Sequence, residues 1–110
     1  MAKATYWQRG ESLDYVNTGS AVIEADTIIA IGSLIGVAGT SINPGEKGSL
    51  HVSGTFECPK SSSSAITLGT MVYWDGTGIT ATQGDSGVPA GYCAADAAAA
   101  ATSILVKLLG

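Results

Sequence analysis

His51, Asp75 and Ser86 are the residues whose types could do chemistry, because they follow the order of one known nucleophilic triad and Ser86 lies in Gly84-Asp85-Ser86-Gly87. That tetrapeptide surrounds the nucleophile of a large class of serine proteases. A triad, however, is defined by the hydrogen bonds among its members and not by their order along the chain. The protease architecture also needs two barrels and roughly twice this length. Gly, Asp and Ser are equally the ordinary residues of a turn. We therefore expect a turn at 84–87, and a hydrolase only if His51 meets both Asp75 and Ser86.

Other chemistry finds less support. Pro44-Gly45-Glu46-Lys47-Gly48-Ser49 has the flavour of a phosphate loop, but Glu46 stands where that loop needs Gly and Gly48 where it needs Ser or Thr. A carboxylate there repels phosphate. With one His and no C-x-x-C spacing, a zinc site is not expected. Cys58 and Cys93 read as free thiols, and His51 as a solvated or interface residue. Tyr73-Trp74-Asp75 offers the alternative of a binding module that stacks exposed aromatics on glycans, although Trp74 is expected to be core.

Composition agrees with a binding protein. The chain has 110 residues with 15 glycines, 45% hydrophobic residues and only 13% charged ones, about half the usual fraction. So many glycines suit short strands joined by tight turns, and so few charges leave surface that invites association. A net charge of −4 and scattered Lys and Arg argue against a nucleic-acid partner. No apolar run reaches the ~18 residues of a membrane span, and the first residues lack the apolar core of a signal peptide. No membrane partner, cofactor or small-molecule substrate is expected, and synthesis is expected in a cytoplasm.

The elements that must position these residues read as strands. Leu50, Val52 and Phe56 alternate with His51, Ser53, Thr55 and Glu57, which predicts one long strand over 48–57 launched by a type II turn at Asn43-Pro44-Gly45. Short strands are expected at 21–23, 28–31, 34–38 and 87–93, and 71–75 with 79–82 as a hairpin turned at Asp75-Gly76. Ile104, Val106 and Leu108 share one face of a final strand. The alanine run 97–101 has high helix propensity but is too short to stand as a helix, so 94–102 is read as a loop. The expected fold is all-β, a small β-barrel or β-sandwich: residues 1–15 form an extended N-terminal arm and 16–110 a single β domain.

The order and spacing of several pieces carry a resemblance across nearly the whole chain. They are Gly10-Glu-Ser-Leu-Asp-Tyr15, Ile35-Gly-Val-Ala38, Ile42-Asn-Pro-Gly-Glu46, Val52-Ser-Gly-Thr-Phe-Glu57, Val72-Tyr-Trp-Asp75, Gly91-Tyr92 and Val106-Lys-Leu108. In these the chain resembles the capsid cement or decoration proteins of tailed bacteriophages. The resemblance implies a structural virion protein on the outer surface of the capsid, often a homotrimer, that stabilises the expanded shell by bridging major capsid protein subunits. Within that reading Tyr6, Trp7 and Arg9 are the expected capsid-binding residues, since aromatics and Arg dominate interface energetics.

Overall fold

The computed structural model describes residues 2–6, 10–85 and 87–109. Among these residues nine strands and no helix are found, arranged as two antiparallel sheets. The first contains β1 (Ser12–Val16), β2 (Ile28–Ile31), β3 (Leu34–Ala38) and β4 (Lys47–His51) in the order β1-β4-β3-β2. The second contains β5 (Thr55–Pro59), β6 (Met71–Trp74), β7 (Ile79–Thr80), β8 (Val88–Cys93) and β9 (Ser103–Leu108) in the order β5-β9-β8-β6-β7. The result is an open sandwich and not a closed barrel.

Ile35 and Val37 from β3 join Val72, Ala90, Ile104, Val106 and Leu108 of the second sheet in the shared core. The expected faces of the last strand hold, with Ile104, Val106 and Leu108 buried. β3 is buried on both faces over Ile35–Ala38, which is why it reads as a continuous apolar run without alternation. The thiols of Cys58 and Cys93 are both free and buried in this core.

Three sequence expectations change. The long strand over 48–57 is two strands in different sheets: β4 ends at His51, and the chain turns at Gly54, whose φ of +108° suits glycine. Alternation continues through the corner because both sides are extended, so the pattern alone could not locate the break. Residues 21–23 supply only a bridge, from Ile23 to Ile42. Residues 12–15, the end of the expected arm, instead join Val16 in an edge strand paired along β4. The turn at Asn43-Pro44-Gly45 is as expected, with Gly45 at φ +81° and the Glu46 N–H donating to the Asn43 carbonyl at 3.0 Å. Residues 94–102 are a loop bridged at Ala97 to Ile66.

The two sheets repeat one plan. An edge strand (β1, β5) leads through a bridged isoleucine (Ile23, Ile66) and a turn into a strand (β2, β6) that pairs with the next long strand (β3, β8). A second bridge (Ile42, Ala97) and turn then deliver the strand (β4, β9) that inserts beside the first. Hydrogen bonds match position by position. The Val52 N–H donates to Glu11 as that of Leu108 does to Gly54, and Asn17 to Glu46 as Lys60 does to Thr102. Asp26 and Gly69 likewise donate to Ala38 and Cys93. Buried residues correspond as well: Ala38 with Cys93, Ile42 with Ala97, Leu50 with Val106. Asn17 and Lys60 hold equivalent loops, the Asn17 amide donating to the Ala21 and Ile42 carbonyls and the Lys60 ammonium to those of Ser62 and Ala99. The second half adds 75–87, which carries β7.

Candidate binding surface

His51 and Asp75, the two described triad candidates, lie in different sheets with different partners. His51 lies in β4 of the first sheet, where its Nδ1 is 3.1 Å from the Ser12 hydroxyl and its ring is 6.0 Å from that of Phe56. Asp75 closes the β6–β7 hairpin in the second sheet. Its Oδ1 accepts from the Thr77 and Gly78 amides and the Thr77 hydroxyl, each at 2.9 Å, and its Oδ2 accepts from the Ser61 hydroxyl at 2.7 Å. These bonds, the one from Ser61 foremost, hold the carboxyl well below the usual carboxylate range. Asp75 is thus a turn residue and does not orient His51. Ser86 lies outside the described residues. Among the described residues no group of three or more His, Cys, Asp or Glu side chains is placed to hold a metal ion.

The aromatic candidates divide differently from the glycan reading. Trp74 packs against the core and is half-buried, and Tyr73 is half-buried beside it. The register with β8 shifts between Val72 and Tyr73, so that Tyr73 pairs with Pro89 and Trp74 with Val88. Burial, with the charge of Glu57 adding to it, pushes the Cys58 thiol up, which keeps it protonated and unreactive at neutral pH.

Exposed apolar side chains gather on the outer face of the five-stranded sheet. Met71 on β6 is paired with Tyr92 on β8, and Leu105 follows on β9, at 46%, 41% and 42% exposure. Lys107, paired with Tyr92, is their half-buried charged neighbour. Sequence alternation placed Met71 and Leu105 away from the core but gave no sign that Tyr92 would join them, because that depends on the β6–β8 register. Of the expected arm residues, Tyr6 is 79% exposed. Trp7 and Arg9 lie outside the described residues. Residues 2–6 are exposed and join neither sheet.

The described body therefore offers a sheet face with three exposed apolar side chains, a surface of the kind that meets a partner. Comparison with protein families decides which kind: the family described as phage cement protein matches residues 7–108. This chain belongs to the phage cement protein family. The match spans both sheets, so the repeated plan lies wholly within the cement fold. No curated protein and no solved structure gave a match. Membership gives the chain a structural role in association with a phage capsid, and the exposed apolar side chains of Met71, Tyr92 and Leu105 on the second sheet are the feature here that fits such a role.

Proposed function

We propose that this cement protein binds the exterior of the phage head as a homotrimer and stabilises the expanded shell by bridging major capsid protein subunits. The observation that carries the reading is the exposed face of Met71, Tyr92 and Leu105 in a chain of the cement family. Large exposed apolar groups in register on a rigid sheet are a docking surface, and a shell subunit is the partner that the family implies. The arm adds a second point of attachment, with Tyr6, Trp7 and Arg9 reaching neighbouring subunits of the decorated shell. Two attachments per copy, multiplied by oligomerisation, make release require several contacts to break together. Because the protein binds the assembled shell and not its scattered subunits, occupancy stabilises the shell by mass action.

The test is addition of purified protein to expanded, undecorated heads, followed by sedimentation and heating. Met71→Glu and Tyr92→Glu place charge on an exposed strand face, so the fold should persist while occupancy at a fixed concentration falls at least tenfold. Full occupancy with both substitutions would remove this face from the mechanism. The glycan alternative rests on Tyr73 and Trp74, both half-buried, and predicts glycan affinity that Trp74→Ala abolishes.

A further inference from the structure

Comparing equivalent edges of the two half-plans isolates one strand that the fold leaves unprotected. Residues 27, 29 and 31 of β2 face β3, as shown by the Ala38 N–H donating to the Thr27 carbonyl and by the register that pairs Ile29 with Gly36. Alternation then directs the N–H and C=O groups of Ile28 and Ala30 to the outer edge. The residue equivalent to Ala30 in the second half is Tyr73, and its outward side is covered by β7 through the pair Tyr73 and Thr80. The inserted segment 75–87 supplies that cover, and the first half has no counterpart.

Of the other edges, β7 is only two residues long with Ile79 bridged to Lys60, and β5 and β1 carry the usual protection. β5 bears Glu57 and Pro59, and a proline blocks pairing on its outward side. β1 bears Asp14, ion-paired to Lys47 at 3.9 Å. β2 reads Ile28-Ile29-Ala30-Ile31, with neither charge nor proline. Beside it, where the edge of the first sheet meets β5, lies a cleft of about 210 Å³. Ile28, Val37, Phe56 and Cys58 give it apolar walls, and Asp26 and Glu57 give it acidic ones.

We propose that residues 2–6 of a second copy of this chain pair along β2 and seat Tyr6 in this cleft. The segment Ala2-Lys3-Ala4-Thr5-Tyr6 is exposed, free of both sheets, and complementary to the site. Its aromatic ring suits the apolar walls, Ala2 and Ala4 share the face of Tyr6 by strand alternation, and these small residues allow the close approach that strand pairing needs. The contact is head-to-tail, because arm and edge are different surfaces, and a ring is the closed assembly that such a contact builds when the rotation between copies closes. On this inference Tyr6 engages a neighbouring cement copy, leaving Trp7 and Arg9 for the shell.

The experiment needs no phage heads. Separately purified Tyr6→Cys and Ala30→Cys proteins are mixed under mild oxidation, with the native thiols buried, and light scattering is run on the wild-type chain, Tyr6→Ala and Ala30→Pro. A disulfide-linked heterodimer is expected, together with a wild-type oligomer whose dissociation constant rises at least tenfold in both variants. Ala30→Pro removes only an outward donor; should it unfold by circular dichroism, Tyr6→Ala and the cross-link decide. A wild-type monomer at 100-micromolar concentrations, or no cross-link between the two cysteine proteins, overturns the proposal. Protein that decorates heads without cross-linking refutes this inference alone, and protein that cross-links but ignores heads refutes only the cement reading.

Discussion

Gly91→Ala should be among the most damaging single changes in the molecule, although it adds one methyl group. Gly91 sits in β8 at φ +151°, and a Cβ built there would lie 1.9 Å from the Lys107 carbonyl oxygen and 3.1 Å from the Leu108 Cα. A carbon normally approaches a carbonyl oxygen no closer than about 3.3 Å. β8 and β9 would therefore have to part by more than about 1 Å, and both obstructing groups are backbone, so no rotamer change relieves them. The unfavourable φ costs about 1–3 kcal/mol, and losing one or two ladder hydrogen bonds adds about 0.5–1.5 kcal/mol each. The expected total of about 2–6 kcal/mol is a large part of the 5–15 kcal/mol typical of a domain. Gly36, the equivalent residue in the first half, is the internal control: its Cβ would meet mainly the Leu50 side chain, at 2.6 Å. A side chain can yield, so Gly36→Ala should cost about 1–3 kcal/mol as an overpacking defect. Urea denaturation of both variants measures the difference. A Gly91→Ala loss below 1 kcal/mol, or one no larger than that of Gly36→Ala, would refute the reasoning.

Other consequences are open to direct measurement. Asn17→Ala deprives the Ala21 and Ile42 carbonyls and the Gly19 amide of their partner, so urea denaturation should show about 1–3 kcal/mol of lost stability. Because the folded-state pKa of Asp75 is depressed, its contribution is complete above the unfolded value near 3.9 and is lost as pH falls through the lower folded value; thermal melts between pH 5 and 2 should fall less steeply for Asp75→Asn than for the wild type. Cys58 and Cys93 should resist a thiol-specific reagent in the native protein and react fully in urea, whereas rapid native labelling would contradict their burial.

Much of the strand inventory could be read from residue order, and the reasons are local. Asn43-Pro44-Gly45 specifies its own turn, and Ile104, Val106 and Leu108 specify their own face. Residues 28–31 and 34–38 were placed because glycine and serine at 32 and 33 bound them. The corner at Gly54 was hidden by alternation on both sides of it. β1 was hidden because Leu13 and Val16 stay exposed, so burial gives no clean period. The repeated plan was hidden more thoroughly. Ile23 with Ile66, Thr27 with Thr70 and Gly36 with Gly91 retain identity, but the segment 75–87 shifts the second half out of step with the first. What recurs is a pattern of backbone hydrogen bonds, which many side chains satisfy. The exposed face of Met71, Tyr92 and Leu105 was partly legible for the same reason: alternation assigns faces within a strand, while register decides which strands share a patch.

The distant pairing of β5 with β9 sets the order of events during synthesis. β1 to β4 can close their sheet as soon as His51 is free of the ribosome, but β5 must wait, extended, until Ser103–Leu108 arrives to lie between it and β8. Through that interval Phe56 and Cys58 have no permanent neighbour on their sheet, and Pro59 with Glu57 guards the waiting strand against pairing with a stranger. Residues that protect an edge in the finished protein thus also act as chaperoning features of the nascent chain.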